Sequence, residues 1–112
     1  MIAEVALPDT IRSKAFGSIT NAFTTLGNPF AHTARIFRLI NATDGGMFFS
    51  IDGTNNQFFL PANSFVLYDL TTNNERGGEK FVLEKGTQFY VKYSALPSTG
   101  AVYLELIYGR GQ

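Results

Sequence analysis

The sequence has one histidine, His32, and no cysteine. A zinc or copper site at His32 would have to take its other ligands from carboxylates, because no thiolate is available. A nucleophile activated by His32 would need a neighbouring hydroxyl and a third group to orient the ring, and no nucleophile-elbow motif is present. We therefore interpret His32 as a turn residue, and we expect no enzymatic activity and no cofactor.

The carboxylates are few, and most lie in or beside predicted turns: Asp44, Asp52, Asp69, Glu75, Glu79 and Glu84. A glycoside hydrolase needs two carboxylates about 5 to 10 Å apart, and the sequence leaves a pair such as Asp52 with Glu105 open. Asp-Gly is a preferred turn sequence, which makes a turn role for Asp44 and Asp52 the stronger interpretation. Residues 52–56 also resemble a calcium loop faintly, but the alternating acidic ligands and the distal glutamate are missing.

The charge balance limits the classes of partner. Nine basic and nine acidic residues give no formal net charge, so no long-range field attracts phosphate groups, and we expect neither nucleic acid nor a membrane as partner. Charged residues make up only 16%, so we expect part of the surface to be covered by another molecule. The near-zero net charge reduces the repulsion between copies, which predicts a homo-oligomer within an assembly. Residues 1–9 have no basic start and end at a Pro-Asp pair, so we expect synthesis in the cytoplasm without a secretory signal.

The spacing of apolar residues predicts short strands separated by turn clusters, at 33–41, 47–51, 57–60, 65–70, 80–83, 88–93 and 101–108. Two hairpins are expected, one joining 33–41 to 47–51 and the other joining 80–83 to 88–93. In the last strand Val102, Leu104, Leu106 and Tyr108 share one side by the two-residue period. The sequence therefore predicts an all-β fold, a small antiparallel β-sandwich or jelly-roll-like barrel.

The first third of the chain is more polar, and we predict an extended N-terminal arm at 1–10 in front of a single domain at 11–112. One or two strands are expected within 15–26, with a short helix over 11–16 as an alternative. Ile2, Val5 and Leu7 nearly alternate but have no local partner strand. We expect this segment to pair with a neighbouring subunit rather than with its own sheet.

Aromatic residues are the most informative feature, with eleven Phe, five Tyr and no Trp. Five of them lie out of phase with the expected core faces of their strands and are predicted to face outward: Phe48, Phe58, Tyr68, Tyr90 and Tyr103. A single aromatic side chain is more often core than partner surface, but the group together favours docking on another protein. With Ile2, Val5 and Leu7, these five are the candidate partner-binding residues.

From about residue 11 to residue 108 the chain resembles short virion proteins of tailed bacteriophages. The segments that carry this resemblance are Phe16-Gly17-Ser18-Ile19, Arg35-Ile36-Phe37, Asn41-Ala42-Thr43-Asp44, Phe49-Ser50-Ile51-Asp52-Gly53, Leu60-Pro61-Ala62-Asn63-Ser64-Phe65, Asp69-Leu70-Thr71-Thr72-Asn73, Gly86-Thr87-Gln88-Phe89-Tyr90-Val91-Lys92 and Gly100-Ala101-Val102-Tyr103. The resemblance implies a location in the virion and a structural role without a reaction or cofactor. The implied function is a capsid decoration (cement) protein or a neck-tail accessory subunit, with the major capsid protein or portal and tail proteins as partners.

A carbohydrate- or receptor-binding module of a tail or fibre is the alternative. Exposed Tyr and Phe rings could stack on sugars beside the Asn and Asp residues of the turns. The chain lacks Trp, the most typical stacking residue, which favours the structural interpretation.

Overall fold

The computed structural model describes residues 6–69 and 83–109. These residues contain nine strands: β1 (Ala6–Pro8), β2 (Arg12–Ala15), β3 (Thr24–Thr25), β4 (Ala34–Asn41), β5 (Met47–Ser50), β6 (Phe58–Leu60), β7 (Ser64–Asp69), β8 (Tyr90–Tyr93) and β9 (Ala101–Gly109). A 3-10 turn at Phe16–Ser18 follows β2. Within the described ranges, no helix is long and apolar enough to cross a membrane.

The strands form two sheets that pack face to face. Sheet A has the order β1-β9-β4-β7, with β2 also paired to β9, and sheet B has the order β3-β8-β5-β6. Every strand pair in both sheets is antiparallel. The predicted all-β sandwich is confirmed.

The core lies between the two sheets and follows the two-residue period of the strands. Phe37 and Leu39 of β4 and Leu104 of β9 are buried from sheet A, and Phe49 of β5 and Val91 of β8 from sheet B. Val102 and Leu106 flank Leu104 on the same side of β9 and are also buried. The predicted inward face of the last strand is therefore confirmed for these three residues, while Tyr108 is half-buried at the edge of the core.

The segment 42–46 carries the chain from sheet A to sheet B, so the predicted hairpin between 33–41 and 47–51 is wrong. Asn41 is fully buried, and its side-chain amide donates to the carbonyl oxygens of Gly45 at 2.9 Å and of Leu60 and Pro61 at 3.0 Å each. Its Oδ1 accepts from the Thr43 backbone N–H at 3.0 Å and hydroxyl at 2.6 Å. These bonds satisfy backbone groups that a hairpin ladder would otherwise pair.

The turn before β9 packs closely on this crossover. Gly100 has a φ of 91°, in the left-handed region, and a Cβ there would overlap the carbonyl oxygen of Ala42. The Ala42 N–H donates to the Ala101 carbonyl at 2.9 Å. Glycine is required at position 100 for both reasons.

The N-terminal strands lie in the chain's own sheet. Leu7 is opposite Tyr108 and Pro8 opposite Ile107, and β2 continues along β9 with Arg12 opposite Leu104. The prediction that this segment pairs with a neighbouring subunit is wrong for residues 6–8, and the alternative of a helix over 11–16 is wrong because 12–15 is a strand. Ile2 and Val5 lie outside the described residues.

β8 pairs with β3 and β5. Leu83 instead forms an isolated bridge with Ala34, and the turn at 84–87 bonds to Phe30 through the Gly86 N–H at 2.8 Å. The predicted hairpin between 80–83 and 88–93 is therefore not found at Leu83, and residues 80–82 lie outside the described residues.

Candidate functional site

The residues whose side chains could take part in catalysis or bind a metal have structural roles instead. The His32 ring stacks on Tyr108, with 3.7 Å between centroids and 2° between planes. In the ranges 6–69 and 83–109, no group of three or more His, Asp or Glu residues is placed to hold a metal ion. We interpret the His32 contact as packing at the end of β9 in sheet A.

Asp52 closes the turn after β5. Its carboxylate accepts from the Asn55 N–H at 2.9 Å, the Thr54 N–H at 2.8 Å and the Ser50 hydroxyl at 2.7 Å. These bonds hold the pKa of Asp52 well below its usual range, and the bond from the Asn55 N–H lowers it most. The predicted turn role is confirmed. Glu105 belongs to the other sheet and points away from the sandwich, so the two carboxylates do not flank a shared cleft.

Asp44 joins the crossover to the turn at 96–100. Its carboxylate accepts from the Ser98 hydroxyl and from the Ser98 backbone N–H, the latter at 2.7 Å. The Ser98 hydroxyl is the main reason why the pKa of Asp44 is lowered. This carboxylate also has a structural role.

The outer surface of sheet A is mostly apolar across three neighbouring strands. Phe65 of β7 lies opposite Ile40 of β4, which lies opposite Tyr103 of β9. Phe65 is 62% exposed and Leu67 is 57% exposed. We call this surface the A face, and its apolar members are Ile36, Ile40, Phe65, Leu67, Tyr103 and Ile107.

One ion pair lies at the centre of the A face. Arg38 and Glu105 are directly opposite each other on β4 and β9, and Leu67 is opposite Arg38 on the other side. Arg38 Nε donates to Glu105 Oε1 at 2.7 Å, and Nη2 lies 2.5 Å from the same oxygen. The guanidinium also lies over the Phe65 ring, 5.6 Å from its centroid. The charges of this pair cancel within the apolar surface.

The outer surface of sheet B has a second aromatic patch, the B face, formed by Phe23, Phe48, Phe59 and Lys92. The Phe48 and Phe59 rings are 5.1 Å apart, and Phe59 is 50% exposed. Lys92 Nζ lies 4.7 Å from the Phe23 centroid and 5.7 Å from that of Phe48. The sandwich thus presents aromatic side chains on both outer surfaces.

The structure separates the predicted aromatic residues into two groups. Phe48 belongs to the B face and Tyr103 to the A face, and Tyr90 is half-buried against Gly53. Phe58 and Tyr68 pack against the core instead of facing outward, and both rings contact Phe37. Leu7 is half-buried opposite Tyr108.

Sequence reasoning missed Phe59, Phe65 and Leu67. In β6 the buried Leu60 fixes the phase, so Phe58 turns inward and Phe59 outward. In β7 Val66 and Tyr68 point to the core, which leaves Phe65 and Leu67 on the outer side. The signal in the sequence was that both sides of each strand are apolar, which is typical of a strand covered on both faces.

Comparison with known proteins gives a distant likeness to a solved structure. No family model matches the sequence, and no curated protein matches it. The crystal structure of SPP1 Dit (gp 19.1), described as a paradigm of the hub adsorption apparatus in phages that infect Gram-positive bacteria, is similar to this chain with a TM-score of 0.40 and 14% identity. The match covers 91% of this chain and 47% of the Dit chain, so this chain spans about half of that protein's length.

Proposed function

We propose that this chain is a non-enzymatic structural protein of a tailed-phage virion that binds other proteins through the A face. The observation that carries the proposal is the apolar outer surface of sheet A, on which Phe65 and Leu67 are more than half exposed. Contiguous apolar surface costs free energy in water, and patches of this kind mark protein-binding sites. At the centre of the face the charges of Arg38 and Glu105 are paired, in keeping with the depletion of charge at the centres of protein interfaces.

The B face supports the same function. A subunit of a lattice or ring has neighbours on more than one side, and this sandwich has aromatic surface on each of its two outer sides. The absence of formal net charge reduces repulsion when many copies are brought together. The resemblance of the sequence to phage virion proteins supports a virion as the setting of these contacts.

The position in the particle is tested by quantitative mass spectrometry of purified virions and of capsids stripped of tails. A decoration or cement role predicts a copy number close to that of the major capsid protein, retained after the tails are removed. A neck-tail accessory role predicts a small copy number, lost with the tails. Absence of the chain from purified virions would contradict the proposed function.

The use of the A face is tested in a phage that carries the Leu67→Asp variant. We expect the variant to fold but to be depleted from particles, because a charge on this surface opposes burial. The matched control is Asn56→Asp, which places the same charge in an exposed turn and should leave incorporation unchanged. Normal incorporation of Leu67→Asp would show that the A face does not dock.

A further inference from the structure

We propose that the A face binds a second copy of this chain about a two-fold axis, so that the two sheet A surfaces pack face to face. This inference rests on the proposed function and names the partner of the same surface. The occupant is a second copy because the charges of the A face match those of its own copy.

The strand register arranges the charges of the A face. Arg38 and Glu105 occupy directly opposite positions on adjacent strands, so they lie side by side at the centre of the face. A two-fold axis that lies in the interface and runs between β4 and β9 along the strands places the second copy's Glu105 over Arg38 and the second copy's Arg38 over Glu105. Two opposite pairs then meet with their signs matched, so neither Arg38 nor Glu105 is buried against a like charge.

The hydrogen bonding leaves capacity for this exchange. Both contacts from Arg38 go to Oε1 of Glu105. In the described part of the chain, Oε2 of Glu105 receives no hydrogen bond. The two side chains are 41% and 38% exposed, so each can reach a guanidinium or carboxylate that approaches from outside. A second copy supplies both.

The size of the face is sufficient for a stable contact. The strands of the A face, β4, β7 and β9, have 8, 6 and 9 residues, and each residue covers about 3.4 Å along the strand and about 4.8 Å across it. Two such faces cover roughly 750 Å² as flat area, and the adjacent β1 and β2, with 3 and 4 residues, raise this to roughly 1,000 Å², the area that a biological interface needs. Sheets packed in this way lie about 10 Å apart.

The B face lacks this self-complementarity. Its cation, Lys92, lies among Phe rings, and none of the described residues that form the B face is a carboxylate. Two B faces packed about a two-fold axis would bring two Lys92 ammonium groups together without a counter-charge. Both faces are therefore aromatic, but only the A face has charges that complement those of a second copy of the same face.

The test is a charge-exchange experiment by sedimentation velocity on the full chain. We expect the wild-type protein to dimerise and both Arg38→Glu and Glu105→Arg to weaken the dimer at least tenfold, because each gives a face with two like charges. An equimolar mixture of the two variants should form a heterodimer, and the double variant should dimerise like the wild type. The control Lys92→Glu makes the same charge change as Arg38→Glu on the B face and should leave the dimer intact.

Recovery of association in the mixture shows that the single variants are folded, and their circular dichroism and melting curves check this independently. A wild-type chain that stays monomeric up to about 100 μM, where a contact with a micromolar Kd would be nearly saturated, would overturn the inference. The inference would also be overturned if Arg38→Glu and Glu105→Arg both left the dimer intact while Lys92→Glu dissociated it. Loss of Leu67→Asp from particles together with a monomeric wild type would retain the proposed function and assign the A face to a different virion protein.

Discussion

At the scale of single residues, the polar side chains of this protein secure the places where the chain changes direction. The turn roles of Asp44 and Asp52 could be predicted, because an Asp-Gly pair is readable without knowledge of the fold. The role of Asn41 could not, because its partners Leu60 and Pro61 come from a distant segment. Burial of an amide depends on which segments meet, and that information is not local.

Asn41→Leu is expected to destabilise the protein strongly. The change keeps the approximate volume but leaves the carbonyls of Gly45, Leu60 and Pro61 without the amide donor and the Thr43 N–H without its acceptor. We expect a loss of at least about 2 kcal/mol in the free energy of unfolding, measured by urea denaturation. The exposed Asn56→Leu should change it by no more than about 0.5 kcal/mol. Similar small effects for both variants would show that the crossover does not depend on Asn41.

Asp52 should make stability depend on pH in the acid range. Its pKa is lower in the folded chain than the ordinary value of 3.8, so its stabilisation is fully present above that value and is lost as the pH falls through the folded pKa. Asp52→Asn cannot ionise. We therefore expect the stability difference between wild type and Asp52→Asn to be largest near pH 7 and to shrink below about pH 4. Urea denaturation at pH 7 and at pH 3 measures this difference, and a difference independent of pH would contradict it.

At the scale of strands, the central position of β9 makes its inward residues the most sensitive. Leu104 is fully buried, whereas Glu105 on the next position faces outward and is paired with Arg38. Leu104→Ala should cost about 2 to 5 kcal/mol, as deletion of buried methyl groups does, and Glu105→Ala less than half of that. Equal costs in denaturant melts would show that the phase of β9 is wrong.

The first strand should contribute to folding. Residues 6–8 pair with β9, and the Asp9 N–H continues this ladder to the Leu106 carbonyl at 3.0 Å. Deleting residues 1–8 should cost about 1 to 2 kcal/mol, and each kcal/mol lowers the melting temperature by about 4 to 8 °C in a domain of this size. Deleting residues 1–4 leaves β1 intact and is the control. An unchanged melting temperature after the longer deletion would mean that the β1–β9 pairing adds nothing.

The strands themselves were largely predictable, but their partners were not. The alternation in β9 and the turn clusters follow from local chemistry. The hairpin predicted between 33–41 and 47–51 failed because the Gly-rich turn at 45–46 is compatible with either a hairpin or a change of sheet, and Asn41 and Thr43 decide the outcome by hydrogen bonding inside the core. In β7 both sides are apolar, so the period gave no preference between Phe65 and Tyr68 for the core.

At the scale of the whole molecule, the far-ultraviolet circular dichroism spectrum should be dominated by β-structure. The described residues contain nine strands and a three-residue 3-10 turn. We expect a helix content well below the ~30% average of globular proteins. A content near that average would contradict the sandwich.

The order of synthesis has a consequence for this sheet. β9 lies between β4 and the N-terminal strands, yet it follows all of them in the sequence. The 59 residues between β4 and β9 occupy the ribosome for roughly 3 to 12 s at about 5 to 20 residues per second. During that time β1, β2 and β4 have been synthesised but have no β9 to pair with. The nascent chain therefore lacks the central strand of sheet A for seconds, which is the interval in which a chaperone would bind it.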